Sequence, residues 1–311
     1  VAVHGVGLVC VAMVAACYAP TVPTGIACPD GVCPNGQSCV AGFCDGDGPS
    51  DGNTSDTIAP SDGSLGDAAM SAGWAVPTRV QALSGPSNDW GPSISTDELA
   101  LYLNTDGPTP DDFKIYVATR ATKMSGWGAL MPVQGLDLAE NEYHADISAD
   151  NKELVYAADL PPAGLRKLTR VSANQPWIGP TPLQLDGKQS PGLFANDLRM
   201  IVEGSSIQEY TRADRNTPWT LVRTHATLAM YRLPGISADG LEIYVIRNTR
   251  MYRATRMSID QVFGMPAIIS FGAPFDSYDL FDPELSADGH TMYVSVDTGS
   301  TTDADIYVTT R

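Results

Sequence analysis

Gly235-Ile236-Ser237-Ala238-Asp239-Gly240, followed by Leu241-Glu242-Ile243-Tyr244-Val245, is the stretch on which the fold turns. Its first half is a short strand that runs into Ser, Asp and Gly, the residues that make a tight turn. Its second half alternates apolar and polar side chains, the mark of a half-buried strand. The same unit recurs at Ser93-Ile94-Ser95-Thr96-Asp97, Asp146-Ile147-Ser148-Ala149-Asp150, Gly192-Leu193-Phe194-Ala195-Asn196 and Glu284-Leu285-Ser286-Ala287-Asp288-Gly289. Each copy leads into another apolar strand, as in Leu99-Ala100-Leu101-Tyr102-Leu103.

Two further features keep the same phase. A strand ending in Thr-Arg closes each copy, at Arg120, Arg170, Arg212, Arg256 and Arg311. Trp127, Trp177, Trp219 and Phe263 each follow the preceding arginine by seven residues. A repeat of roughly 45 residues with several strands is the size of one propeller blade. The aromatic that would belong with Arg311 stands at the front of the array. Trp74 precedes Val80-Gln81-Ala82-Leu83 by six residues, as Trp127 precedes Val133-Gln134-Gly135-Leu136. Residues 74–83 therefore read as the missing outer strand of the last blade, closing the ring and removing its open edges. The expected fold is all-β: a five-bladed β-propeller over residues 74–311, with six blades as the alternative if a degenerate copy is hidden. The recurring arginine and aromatic read as a blade-packing device rather than a row of ligand sites.

These repeats resemble the TolB-like, WD-type propeller repeats of periplasmic and surface proteins, over about three quarters of the chain. The resemblance implies the fold. It leaves function open, since the group includes protein-binding scaffolds and domains attached to peptidases.

The residues before Trp74 read differently. Val6 to Ala16 is an apolar run too short to span a bilayer, as in the core of an export signal, although only His4 precedes it in place of Lys or Arg. It ends Val14-Ala15-Ala16-Cys17, which resembles a bacterial lipobox; the resemblance implies that residues 1–17 are a lipoprotein signal peptide with its lipobox, cut just before Cys17, which is then acylated as the new amino terminus. The same residues also fit an ordinary secretory signal cut near Ala16. Residues 18–44 carry Cys28, Cys33, Cys39 and Cys44 among Gly and Pro, with little to build a core, and the expectation is a small disulfide-rich segment of undetermined pairing. Zinc is the less favoured alternative, because close CxxC pairs are missing. The segment resembles short Cys-rich stretches that follow the lipobox in surface lipoproteins of myxobacteria-like organisms. Residues 45–73, rich in Asp, Gly, Ser and Pro, read as a disordered linker. The expected address is the cell envelope, on the outer membrane, with a lipid anchor as the only membrane contact.

The chain of 311 residues holds 36 acidic and 19 basic residues, a formal charge of -17, which argues against nucleic acid and against charge-driven docking on anionic lipid. No GxSxG, HExxH, P-loop or dinucleotide fingerprint occurs, and no cofactor or metal is expected. The informative positions are those that vary between repeats. Five residues before each motif serine, or before Phe194, stand Trp90, Tyr143, Gln189, Arg232 and Phe281, on loops expected to open on one mouth of the ring. The acidic loops 104–112 and 297–305 are expected over the same mouth. Aromatics beside acids in a concave funnel suit an envelope protein, a peptide or a glycan, held without catalysis. The alternative is a carbohydrate-active enzyme, with acid and base drawn from Asp89, Asp146, Asp282 and Glu284 if two of them lie about 5–9.5 Å apart.

Overall fold

The computed structural model describes residues 38–40, 43–45, 73–106, 112–136, 140–299 and 303–311. The chain divides into two units, Val1–Ser64 and Leu65–Arg311. In the first, β1 (Ser38–Val40) and β2 (Phe43–Asp45) pair as a hairpin with Cys39 and Cys44 directly opposite in register. Cys17, Cys28, Cys33 and nearly all of the linker lie outside the described residues.

The second unit is a ring of five four-stranded antiparallel sheets. The first comprises β4 (Asp89–Ile94), β5 (Ala100–Thr105), β6 (Lys114–Thr119) and β7 (Met131–Pro132). The second comprises β8 (Glu142–Ile147), β9 (Glu153–Ala158), β10 (Gly164–Thr169) and β11 (Ile178–Asp186). The third comprises β12 (Gln189–Phe194), β13 (Arg199–Glu203), β14 (Ile207–Thr211) and β15 (Thr220–Thr224). The fourth comprises β16 (Arg232–Ile236), β17 (Glu242–Arg247), β18 (Arg250–Thr255) and β19 (Ala267–Ile268). The fifth has β20 (Asp279–Leu285), β21 (Thr291–Asp297) and β22 (Asp305–Thr310), and its outer strand is β3 (Thr78–Arg79) from the front of the array. The ring therefore closes as the sequence predicts, with five blades and not six. The inner strands β4, β8, β12, β16 and β20 touch their neighbours in succession around the axis.

Side-chain chemistry explains the repeat. At four of the five turns the serine hydroxyl donates to the aspartate two residues on, at 2.6 Å for Ser95–Asp97, Ser237–Asp239 and Ser286–Asp288 and 2.9 Å for Ser148–Asp150. The same hydroxyl accepts the amide five residues on, so it locks the turn from both sides. The third blade departs: Phe194 takes the serine's place, and Ala195, Asn196 and Asp197 all adopt left-handed backbone.

Each Thr-Arg arginine stacks on an aromatic of its own blade. The guanidinium lies 4.3 Å from the Trp127 ring centre for Arg120, and 4.0, 4.3 and 4.4 Å for Arg170 on Trp177, Arg212 on Trp219 and Arg256 on Phe263. Arg311 completes the set on Trp74 at 4.7 Å, across the closure. In every blade the arginine Nε also donates to a carbonyl of the turn, 2.6–2.9 Å away. Three of these arginines reach on to an acid of the preceding blade: Arg212 to Glu153, Arg256 to Glu209 and Arg311 to Glu242, each at 2.8 Å. The device thus clamps blade to blade.

The apolar core sits in the seams between blades. Five buried clusters each straddle one seam, such as Tyr102 and Ile115 against Leu154 and Tyr156, or Ile246 and Met251 against Leu280 and Val294. Close to the axis the packing has no slack. A Cβ on Gly235 would lie 1.8 Å from the Pro283 carbonyl oxygen of the next blade, whereas one on Gly192 would come closest to side-chain methyls of Ile201 and Ile236, at 3.2 Å. Gly235→Ala should therefore cost about 3 kcal/mol, the upper end for overpacking, and Gly192→Ala clearly less. Equal losses in denaturant titration would contradict this account of the fourth seam.

Candidate functional site

Every inner strand carries the same irregularity. Pairing slips by one residue between Trp90 and Ser93, Tyr143 and Asp146, Gln189 and Gly192, Arg232 and Gly235, and Phe281 and Glu284. This is a β-bulge, and its extra residue is left-handed in all five blades: Gly91, His144, Ser190, Leu233 and Asp282, with φ between 47° and 58°. A proline follows in four of them, at Pro92, Pro191, Pro234 and Pro283, where a missing amide proton leaves no ladder bond unmade. The bulge turns five dissimilar residues onto the axis.

Those residues surround a throat of about 30 Å³, room for little more than a water. Above it, Trp90, Phe113, Tyr143, His144, Asn104 and Asp282 line a mouth of about 220 Å³. The rings are braced in pairs, Trp90 against Phe281 at 4.7 Å and Phe113 against Tyr143 at 5.4 Å between centres. A neighbouring cavity of about 550 Å³, which shares Leu233, contains Arg232 and Phe281. Gln189 lines neither; its amide donates to Glu203 at 3.1 Å. The structure thus places Trp90 and Tyr143 at one opening and Arg232 and Phe281 at the adjoining one. The tips of the loops at 107–111 and 300–302 lie outside the described residues.

At the mouth, Asp282 accepts the Gly91 amide at 3.1 Å and lies 3.6 Å from His144 Nδ1, while the Ser190 hydroxyl meets that same Nδ1 at 3.2 Å. Burial pushes the Asp282 carboxyl up, opposed by His144. Ser190, His144 and Asp282 do not form a nucleophilic triad, because serine and acid share one imidazole nitrogen rather than bracketing the ring.

Below the throat, Ser93 joins two acids from its neighbouring blades. Its Oγ accepts the Ile147 amide at 3.1 Å and donates to Asp146 Oδ1 at 3.0 Å. The other Asp146 oxygen accepts the Leu193 amide, so the chain reaches the third blade. Glu284 accepts the Ile94 amide at 3.2 Å and also meets the Ser93 hydroxyl. One hydroxyl proton cannot serve both acids. Burial, with Asp146 beside it, pushes Glu284 well above the usual carboxylate range, and burial raises Asp146 to about 7. Both shifts favour the protonated form. Asp89 stands apart, accepting the Gly85 amide at 2.9 Å, with burial lifting it to about 6. Among the described residues no group of three or more His, Cys, Asp or Glu side chains is placed to hold a metal ion.

The bulge and the throat acids' shared hydroxyl are features that sequence reading missed. The recurring proline one residue past the bulge was the available signal.

Fold and site together define a five-bladed propeller with an aromatic, acid-bearing mouth. No protein-family model and no curated protein matches the chain. Among solved structures, it is similar to a GH43_1 enzyme from Xanthomonas citri, at 13% identity and TM-score 0.54, covering 75% of this chain and 89% of that one. It is similar to the catalytic domain of a GH62 α-L-arabinofuranosidase from Coprinopsis cinerea, at 8% identity and TM-score 0.52, covering 76% and 96%. A putative TolB from Agrobacterium tumefaciens matches at 14% identity and TM-score 0.47, covering 75% and 82%. At such identities the likeness is one of fold.

Proposed function

We propose that this chain is an exported binding protein of the cell envelope, anchored by a lipid at Cys17, that holds a peptide, a glycan or a segment of another envelope protein in the mouth of its propeller. The observation that carries this reading is the mouth itself. Braced aromatic rings, the Asn104 carboxamide and the His144–Asp282 pair surround an open volume of about 220 Å³, on strands fixed by the same bulge in every blade. Aromatic walls with a few directed polar groups suit a ligand that has one apolar face and several hydrogen-bonding groups. The four acids considered for catalysis serve the framework first. Asp89 and Asp282 each hold a backbone amide, and Asp146 and Glu284 hold amides across seams.

The test is a screen of the full chain on glycan and peptide arrays, with the hit then titrated. The double variant Trp90→Ala, Tyr143→Ala should lose saturable binding, about tenfold or more, since buried aromatic contacts dominate such sites. Retention of binding by that variant would remove the mouth as the site.

Glycoside hydrolysis is the second reading, favoured by one observation: Asp146 and Glu284 both line the throat, where burial raises both carboxyls, the direction a general acid needs. Turnover of aryl glycosides, abolished by Glu284→Gln, would establish it in place of binding.

A further inference from the structure

The larger cavity beside the mouth lies over the fourth and fifth blades, and its chemistry is opposite to the mouth's. Met230, Leu233, Ile246 and Phe281 give it apolar walls, and Arg232 and Arg247 give it charge; no acid lines it. In a chain of formal charge -17 this is a local reversal. Arg247 is also unusual among the arginines. The other arginines among the described residues donate to a carboxylate, a carbonyl or a hydroxyl. The half-buried side chain of Arg247 has its guanidinium 5.7 Å from the Tyr231 ring centre and makes no hydrogen bond or ion pair with any described residue. A guanidinium held beside a ring without hydrogen-bonded partners keeps its N–H groups available to grip a carboxylate.

The surroundings hold both arginines in place. Arg247 and Arg250 face each other across a two-residue turn, Asn248-Thr249, whose residues are both left-handed, as a tight hairpin requires. That hairpin is docked on the fifth blade: the Leu280 amide donates to the Thr249 carbonyl at 3.0 Å, and Arg250 donates to the Tyr278 carbonyl at 2.6 Å. Arg232 donates through Nε to Glu203 at 2.8 Å, and Glu203 also accepts the Leu233 amide at 2.8 Å. Glu203 is thereby occupied, and the Nη groups of Arg232 have no partner among the described residues.

We infer that this cavity is a second binding site, for a carboxylate borne on an apolar body: Arg247 and the free end of Arg232 take the carboxylate, and Phe281, Leu233 and Met230 take the body. Two sources share that chemistry, the C-terminal residue of a peptide and a free aliphatic or aryl acid. The site adjoins the mouth through Leu233, but does not depend on what the mouth binds.

The test is calorimetry on the full chain with hexanoate and 3-phenylpropionate, each against its primary amide. The acids should bind about tenfold or more tighter than the amides, as expected when a charged hydrogen bond is lost. Arg247→Gln should abolish that preference and leave the melting temperature within about 1 °C, because among the described residues the side chain has only the distant Tyr231 ring contact to lose. Tyr143→Ala should leave acid binding unchanged, which separates this site from the mouth. Peptides ending in Leu-Phe, free and amidated, then identify the source. A free peptide that binds tighter than phenylpropionate assigns a peptide terminus; one that binds no tighter assigns a small acid. No binding of the acids, equal binding of acids and amides, or an acid preference that survives Arg247→Gln would overturn the inference.

Discussion

Arg212→Ala should lower the stability of the propeller by about 3–5 kcal/mol, the range for breaking a buried ion pair from one side. Arg212 and Glu153 are both almost fully buried, 1% and 2% exposed, and meet through two parallel bonds of 2.8 and 3.0 Å. Removing the guanidinium strands Glu153 in the seam between the second and third blades, with Lys167, 3.9 Å away, as the nearest remaining cation among the described residues. It also removes the stack on Trp219 and the bond from Nε to the Asp197 carbonyl. For a domain of this size the loss corresponds to roughly 10 °C in melting temperature. The double variant Glu153→Leu, Arg212→Met should recover a large part of it, because a buried pair replaced by apolar side chains no longer carries a desolvated charge. A single variant that melts within a degree or two of the parent would show that the clamp does not hold the seam.

Acidification should stabilise the same ring, from about pH 8 down to about pH 5. Asp146 titrates near 7 in the folded chain against an ordinary 3.8, Glu284 lies well above its ordinary value, and Asp89 is lifted to about 6. Between those ordinary and raised values the folded chain binds more protons than the unfolded one, so stability falls as pH rises through the window and levels off above the folded values. For Asp146 alone the displacement corresponds to about 4 kcal/mol as an upper figure. The opposite holds lower down. Against burial, His225, Arg256 and Arg199 keep Glu209 at about 2, and Arg311 and Tyr244 do the same for Glu242. Their contribution is present above 4.5 and is lost as pH falls toward 2. The melting temperature should therefore peak near pH 4.5, and Asp146→Asn should flatten the limb between about pH 4.5 and 8. A melting temperature that climbs from pH 5 to pH 8 would contradict the proton-sharing arrangement around Ser93.

Much of this architecture was legible before any coordinate. The Ser-Ala-Asp turns, the Thr-Arg ends and the aromatics seven residues on fixed the blade, and the displaced Trp74 located the closing strand. Arg311 over Trp74 is that reading in atomic form. The bulge was not legible, because it adds one residue in every copy and so leaves the spacing between motifs constant. The pairing of Asp146 with Glu284 was hidden for another reason. It depends on Ser93 of the first blade meeting acids of the second and the fifth, and the fifth is its neighbour only once the ring has closed. Trp90, Tyr143, Arg232 and Phe281 were found because they break the repeat, and they fall at two adjoining openings. Arg247 escaped the same approach, since it lies on a different strand and its distinction is a missing partner, which only the folded surroundings reveal.

Trp90 gives the most direct test of the mouth. Of the five tryptophans it alone stands at that opening; the other four lie beneath the clamping arginines. Intrinsic fluorescence of the full chain should change saturably as an array-selected glycan or peptide is added, and the change should vanish in Trp90→Phe, which keeps an aromatic ring to pack on Phe281. A saturable change that persists in Trp90→Phe would place the ligand elsewhere on the propeller and contradict the proposal that the mouth is where this protein binds.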